Sequence, residues 1–290
     1  MGRCLMNDAP LIRALTDAEV NTAVEWAARE GWNPGLADAA AFRAQDEAGF
    51  LGLFTGDELA ATLSAVRYAG GFAFLGFYIC RPQLRGRGLG WRLWQAGMAR
   101  LEGDTIGLDG VLAQQANYAK CGFELAHRNI RYGGVPRGLA APGAGAVTLT
   151  PELRAEVEAF DARHFGFARP AFLAHWLQPP LGAARVRVEN GRVTGYGVIR
   201  RCREGFKIGP LFAETAAGAG ALFAALAGQA QGVAPGAPVY LDVPEPNGPA
   251  RALAQEAGLA PVFETARMYR GCAPHLPLAR IFGITSFELG

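Results

Sequence analysis

The pattern of apolar and polar positions divides the chain into two series of short elements that follow the same order. In the first series, the pattern predicts a helix capped by Thr16, a second helix, a meander of three strands, and then helix, strand, helix and strand. The predicted strands cover residues 50–54, 59–68, 72–80, 106–112 and 123–132, and the predicted helices begin near residues 17, 37, 89 and 114. This alternation predicts an α/β fold with a mixed sheet.

The second series repeats the first from residue 147 onward. Its predicted helices cover residues 151–160, 170–177, 218–230 and 249–257, and its predicted strands cover residues 185–189, 193–201, 205–212, 239–243 and 262–269. Glycine-bearing turns recur at matching places, as in Gly71-Phe72 and Gly205-Phe206. We therefore predict a tandem duplication, with domains at 1–134 and 147–290 joined by a linker at 135–146 that is rich in glycine and proline.

Composition excludes several classes of protein. Of the 290 residues, 50% are hydrophobic and 19% are charged, so the chain is not extended and disordered. A net charge of +2 is too small for nucleic-acid binding through bulk charge. The five cysteines are far apart and form no CxxC pair, which argues against a disulfide framework or a metal site. The sequence predicts neither a membrane span nor a signal peptide at Met1–Met6, so we expect a cytoplasmic protein; its oligomeric state is not indicated.

The clearest chemical signal is a glycine-rich segment between the third meander strand and the next helix, Arg85-Gly86-Arg87-Gly88-Leu89-Gly90. Its glycines leave backbone amides uncovered, and the helix that follows adds its positive N-terminal end. Such a turn suits a pyrophosphate. The phosphate loop GxxxxGK[ST] and the dinucleotide pattern GxGxxG both fail here, whereas the pattern [Q/R]xxGx[G/A] fits.

With two further motifs, this loop resembles the GNAT superfamily of acetyl-CoA-dependent N-acetyltransferases. The preceding apolar strand ends in Arg81-Pro82, and the segment Tyr118-Ala119-Lys120-Cys121-Gly122-Phe123 is similar to the family's Tyr-x-Lys-x-Gly-Phe ending. The second half resembles the YitH-like GNAT domain, through Arg267-Met268-Tyr269-Arg270-Gly271 and residues 282–290. The resemblance covers nearly the whole chain and implies two tandem GNAT folds.

The resemblance also implies roles for individual residues. The loop from Arg85 through Gly86, Arg87, Gly88 and Leu89 to Gly90 would hold the pyrophosphate of acetyl-CoA, with Asn117 nearby. The backbone of Tyr78, Ile79 and Cys80 would pair with the pantetheine arm, in a gap between two central parallel strands. Tyr118 would protonate the departing thiolate. No metal is implied.

The acceptor and its base are less defined by the sequence. Asp109 is the one nearby carboxylate that could serve as a base, and an ordinary structural role for it is equally open. Trp32 and Tyr68 could contact the acceptor, or could pack in the core. We expect direct transfer of an acetyl group to a primary amine of a small molecule. The alternative is a non-catalytic acyl-CoA-binding or interaction protein.

The second half lacks the features that carry chemistry in the first. Its counterpart of the loop, residues 215–220, has lost the arginines, and Ala254 aligns with Tyr118. We therefore predict an inactive second unit that forms a wall of the acceptor pocket. For His164, His175, Asp161 and Arg169, an Asp161–Arg169 ion pair or a contribution to the acceptor pocket is favoured over a metal site. The arginines at strand ends are predicted to be solvated, although Arg131 could also face an acidic group of the substrate; these are Arg128, Arg131, Arg200, Arg201 and Arg203.

Overall fold

The computed structural model describes residues 9–139 and 145–290. Residues Met1–Met6, for which no signal peptide is predicted, and positions 140–144 of the predicted linker lie outside these ranges. The first half contains four helices, α1 (Asp17–Arg29), α2 (Asp38–Gln45), α3 (Leu89–Arg100) and α4 (Gln115–Lys120). Its strands are β1 (Leu11–Ala14), β2 (Phe50–Thr55), β3 (Glu58–Tyr68), β4 (Phe72–Cys80), β5 (Thr105–Val111) and β6 (Glu124–Gly134).

The second half repeats this order, as the duplication predicts. Its helices are α5 (Arg154–Phe165), α6 (Pro170–Trp176), α7 (Ala216–Val233) and α8 (Gly248–Glu256). Its strands are β7 (Ala146–Thr148), β8 (Gly182–Glu189), β9 (Arg192–Arg201), β10 (Phe206–Ala213), β11 (Val239–Pro244), β12 (Ala260–Arg270) and β13 (Ile281–Gly283). The short strands β1, β7 and β13 were not predicted, because three or four residues are too few to show a period. No helix within the described ranges is long and apolar enough to span a membrane.

The two halves share one sheet, because they exchange their last long strands. The strand order is β1-β2-β3-β4-β5-β12-β6-β11-β10-β9-β8-β7, and β13 pairs with β10. Thus β12 from the second half pairs with β5 of the first, while β6 from the first half pairs with β11 of the second. The predicted domains are therefore not independent sheets, and each half needs the other to cover a strand edge.

Each half contains one parallel strand pair, and both pairs diverge after a few residues. Strands β4 and β5 pair over residues 72–75 and 105–108. Strands β10 and β11 pair over residues 206–208 and 239–241. In the second half, β13 enters the gap: it pairs with β10, and the amide of Ile284 just beyond it donates to the carbonyl of Asp242 on β11 at 2.9 Å. Within the described residues, no strand fills the corresponding gap of the first half.

Two of the five arginines predicted to be solvated are in fact buried. Arg131 and Arg200 are each 3% exposed. The guanidinium of Arg131 forms two bonds with Asp242, at 2.6 and 2.8 Å, and that of Arg200 pairs with Asp38. Because Arg131 lies on β6 and Asp242 on β11, the first of these ion pairs joins the exchanged strand β6 to its neighbour in the second half. The sequence did not show which carboxylates would meet these arginines.

Candidate active site

A cleft opens where β4 and β5 separate, and its volume is about 490 Å³. One wall is the second part of β4, from Gly76 to Cys80, and the other is the second part of β5, from Asp109 to Val111. The remaining lining residues come from the turn after α1, from β4 and β5 just before they separate, from the start of the loop, from α3, from α4 and the residue before it, and from the second half of the chain. They are Glu30, Trp32, Leu75, Arg85, Trp94, Leu108, Gln114, Tyr118, Phe263, Thr265, Phe287 and Glu288.

Strand β4 contains an irregularity at the inner end of this cleft. Between β3 and β4 the register shifts, so that Ser64 pairs with Gly76 and Thr62 with Ile79. Phe77 has a φ of +48°, which a side-chain-bearing residue seldom adopts, and its carbonyl accepts a 2.8 Å bond from the Thr62 hydroxyl. Bulges of this kind redirect a strand next to functional sites. Here the bulge lies where β4 leaves β5.

The glycine-rich loop leads from the rim of the cleft into α3. Gly86 and Gly88 have φ values of +76° and +75°, and a Cβ at either would meet nothing within 4 Å. Gly88 is the N-cap of α3, where no side chain caps the helix. No side chain therefore caps the amides of the first turn, which suits an anion site. Arg85 lies at the rim of the cleft, where it donates a hydrogen bond to the carbonyl of Cys80 at 2.9 Å and forms an ion pair with Glu30 at 2.5 Å.

The corresponding helix start in the second half is closed by its own side chain. Thr215 is the N-cap of α7, and its hydroxyl accepts from the amide of Gly218 at 3.1 Å. Within the described residues, the second half thus differs from the first in having a side-chain cap at this helix start and a strand, β13, in the gap between β10 and β11. The two halves thus share a fold and differ at the helix start and at the gap between the diverging parallel strands.

Comparisons with known proteins agree with this geometry. Residues 15–123 match a model described as the acetyltransferase (GNAT) family, and residues 157–283 match one described as an acetyltransferase (GNAT) domain. Over 267 residues the chain is 34% identical to the holothin acyltransferase of Pseudoalteromonas sp. (strain SANK 73390), covering 92% of this chain and 90% of that one. The chain belongs to the GNAT family. It is a GNAT-type acyltransferase with two GNAT domains in tandem.

Solved structures show the same GNAT fold. A putative acetyltransferase from Pyrococcus horikoshii aligns with a TM-score of 0.79 at 22% identity, covering 100% of this chain and 99% of that one. A tandem GNAT protein from the clavulanic acid biosynthesis pathway aligns with a TM-score of 0.62 at 14% identity, covering 91% and 100% of the two chains. At these identities the likeness concerns the fold alone.

Most residues predicted for the GNAT coenzyme site lie at the cleft or its rim. Tyr78, Ile79, Cys80 and Arg85 line it, while Gly86, Arg87, Gly88, Leu89 and Gly90 continue from the rim into α3. A Cβ at Gly90 would lie 2.9 Å from the Tyr78 hydroxyl, so this glycine lets the helix start pack on β4. Asn117 is exposed and is outside the lining; its amide donates to Gln114 at 2.8 Å.

Tyr118 reaches the cleft from α4, and its ring lies 5.5 Å from that of Trp94. Burial raises the pKa of Tyr118 well above its usual value, so the side chain stays a neutral phenol at neutral pH. Burial also raises the pKa of Tyr78 to about 12 and raises the pKa of the Cys80 thiol. A protonated thiol is a poor nucleophile, which agrees with a packed rather than reactive Cys80.

The structure brings one predicted acceptor residue to the cleft and not the other. Trp32 lines it, whereas Tyr68 is 6% exposed and lies outside it. The Tyr68 hydroxyl donates to the carbonyl of Leu289 at 2.8 Å, and its ring lies 5.0 Å from that of Phe165. Tyr68 therefore holds the C-terminal segment in the core, which is the packing alternative considered for it.

Asp109 lines the cleft, but its carboxylate is already engaged. Arg267 donates to both of its oxygens, at 2.8 and 2.6 Å, and Asn129 donates to one of them at 2.8 Å. The Asp109 side chain is fully buried, and that of Arg267 is 5% exposed. Three of its roughly four acceptor positions are occupied and its charge is paired with a buried guanidinium, so the geometry favours the structural role of Asp109.

Sequence reasoning named none of the four lining residues that the second half contributes. Phe263 and Thr265 lie on the exchanged strand β12, and Phe287 and Glu288 lie in the C-terminal segment. The second half was predicted to form a wall of the pocket, but only the strand exchange shows which residues do so. The favoured Asp161–Arg169 pair is confirmed: it is fully buried, with a shortest distance of 2.7 Å. Within the described residues, no cluster of metal-ligating side chains occurs.

Proposed function

We propose that this GNAT protein transfers an acetyl group from acetyl-CoA to a primary amine of a small molecule, by direct attack within a ternary complex. The observation that carries the proposal is the contrast between the two halves. An uncapped helix start beside an open cleft occurs in the first half, while the counterpart in the second half is capped by Thr215 and filled by β13. The second half, on this proposal, binds no acyl-CoA.

The loop and strand β4 would hold the thioester substrate. The amides at Gly86, Gly88 and the first turn of α3 would bind the pyrophosphate, since an anion gains from both the free N–H groups and the helix dipole. The edge of β4 beyond Gly76 is not paired with β5, so its backbone is available to the pantetheine arm. A backbone N–H near the bulge would polarise the thioester carbonyl.

Tyr118 would act as the proton donor. The attacking nitrogen forms a bond to the carbonyl carbon, the carbon–sulfur bond breaks, and the leaving thiolate takes the proton from the Tyr118 hydroxyl. A donor must carry its proton at neutral pH, as the buried phenol of Tyr118 does. The phenol and the unpaired part of β4 line the same cleft.

The aromatic lining supports a small organic acceptor. Trp32, Phe263 and Phe287 contribute apolar surface to a cleft of about 490 Å³, a size typical of small-molecule sites. The similarity to a holothin acyltransferase, which covers most of both chains, also supports a small molecule over a protein acceptor.

Thiol release from acetyl-CoA tests the reaction. The panel of acceptors should include holothin, tyramine, putrescine and an aminoglycoside, with the acetylated product identified by mass spectrometry. We expect Tyr118→Phe to lower turnover by about 10²-fold without weakening acetyl-CoA binding. Tyr240→Phe, on β11, is the control and should retain full turnover. Binding of acetyl-CoA without thiol release from any amine would contradict the proposal and favour a non-catalytic acyl-CoA-binding protein.

Calorimetric titration tests the coenzyme site. We expect Gly88→Val to abolish acetyl-CoA binding, because a branched side chain would cover the amides that face the phosphates. Gly103→Val is the matched control, since Gly103 is also exposed with a positive φ of +90° and open space around it. It carries the same backbone strain at the other end of α3. Unchanged affinity in Gly88→Val would place the coenzyme site elsewhere.

A further inference from the structure

Three carboxylates line the cleft, and two of them are engaged by arginines. Glu30 pairs with Arg85 at the rim, and Asp109 pairs with Arg267 in the wall. The third, Glu288, differs from both. It is 2% exposed, and its Oε1 atom is buried without a hydrogen-bond partner among the described residues. A buried polar atom without a partner is costly, and such atoms often await a ligand.

Two cations lie close to Glu288 without bonding to it. The carboxylate is close enough to influence the pKa values of Arg131 and Lys207. The guanidinium of Arg131, however, is used by Asp242 and by the carbonyl of Trp32, which accepts at 2.7 Å. Lys207 donates to the same carbonyl at 3.3 Å. Within the described residues, Glu288 forms no ion pair, although Arg131 and Lys207 both lie near its carboxylate.

The segment that carries Glu288 is held firmly in place. Arg169, fixed by Asp161, donates to the Thr285 hydroxyl at 2.8 Å, and the Ser286 hydroxyl accepts from the amide of Leu289 at 3.1 Å. These bonds lie on both sides of Glu288. A carboxylate on a fixed backbone is positioned before any ligand arrives, which lowers the entropic cost of binding.

Glu288 is also next to the bulge of β4. A Cβ added at Gly76 would overlap the carbonyl of Glu288, so the absence of a side chain at this position lets the segment approach the strand. Gly76 is the first residue of β4 after its pairing with β5 ends. The free carboxylate therefore lies where the strands separate, in the same cleft as Tyr118 and the aromatic side chains of Trp32 and Phe287.

We propose that Glu288 binds the ammonium group of the acceptor and accepts its proton, so that the second half supplies the base for chemistry in the first. The inference rests on the proposed N-acetyl transfer. One ammonium proton passes to the Glu288 carboxylate, and the neutral nitrogen attacks the thioester carbon. The carbon–nitrogen bond forms, the carbon–sulfur bond breaks, and Tyr118 protonates the thiolate. The second proton lost by nitrogen restores the Tyr118 phenol.

The test compares two nucleophiles in full-length Glu288→Gln, which keeps the shape of the side chain and removes its basicity. The first is the panel amine with the highest kcat/KM in the wild type. The second is hydroxylamine, which is largely uncharged at neutral pH and needs no base to become nucleophilic. We expect kcat with the amine to fall by about 10²-fold, while the rate with hydroxylamine and the affinity for acetyl-CoA stay within about threefold. Glu264→Gln, at a partly exposed carboxylate on β12 that pairs with Arg128, is the control and should change neither rate.

Two outcomes would overturn the role of Glu288. One is an unchanged rate with the amine, and the other is an equal loss with both nucleophiles, which would indicate that the side chain only shapes the cleft. If Glu288→Gln does not fold, Glu288→Asp gives the same comparison. Its shorter side chain moves the carboxylate away from the acceptor, so the reaction with the amine should slow more than the reaction with hydroxylamine. Failure of the wild type with every amine would instead count against the proposed function.

Discussion

Replacing Asp109 by asparagine separates a structural role from a catalytic one. The substitution keeps the size of the side chain but leaves the guanidinium of Arg267, 5% exposed, without its countercharge. Removing one partner of a buried ion pair costs about 3–5 kcal/mol in the free energy of unfolding, because the remaining charge is desolvated and unpaired. At about 2 °C per kcal/mol for a chain of this size, we expect Tm to fall by at least about 6 °C.

The matched control is Asp104→Asn. Asp104 also pairs with an arginine, Arg67, at 2.8 Å, but the Arg67 side chain is 46% exposed. A surface pair of this kind contributes about 1 kcal/mol or less, so its loss should shift Tm by about 2 °C at most. Differential scanning fluorimetry measures both shifts, and initial rates of thiol release measure the activity of the folded fraction.

The expected result for Asp109→Asn is a large loss of stability with kcat within about tenfold of the wild type. A Tm equal to that of the wild type, together with a loss of kcat of about 10²-fold or more, would refute this reasoning. Asp109 would then be the base, and the ion pair with Arg267 would contribute little to the free energy of unfolding.

Three further predictions concern packing, pH and the strand exchange. Gly76→Ala should push the C-terminal segment away from β4, lowering Tm and reducing turnover more than acetyl-CoA binding, as melting curves and titrations would show. Burial lowers the pKa of His127 to about 4, so between about pH 6.5 and pH 4 the unfolded chain binds more protons at this residue than the folded chain does. The free energy of unfolding should therefore fall as the pH drops through this range. His127→Gln should lessen this fall in denaturant melts. Fragments 1–139 and 145–290 should each be insoluble alone and form a soluble complex when co-expressed, whereas two separately folded monomers would contradict the exchange.

Features that depend on local sequence were predictable. The order of elements follows from apolar periodicity and glycine-bearing turns, and the loop from Arg85 to Gly90 lies between a strand and a helix as its pattern indicates. Trp32 and Tyr118 lie at the cleft, Trp32 because a short turn joins it to α1 and Tyr118 because it is part of α4.

Features that depend on distant partners were not predictable. Asp109 meets Arg267, which is 158 residues away, only because β12 inserts beside β5. Strands β6 and β12 have similar patterns and either could pair with β5, so periodicity alone does not reveal the exchange. For Glu288, the sequence shows an acidic residue among apolar ones. Its approach to Gly76 requires the folded positions of both halves.

The insertion of β12 has a consequence for synthesis of the chain on the ribosome. Strand β5 is complete at residue 111, but its neighbour in the sheet ends at residue 270. For about the last half of translation, the edge of β5 is exposed to other nascent chains, and exposed edges promote aggregation. The amino-terminal half can therefore reach its final pairing only after residue 270 has left the exit tunnel.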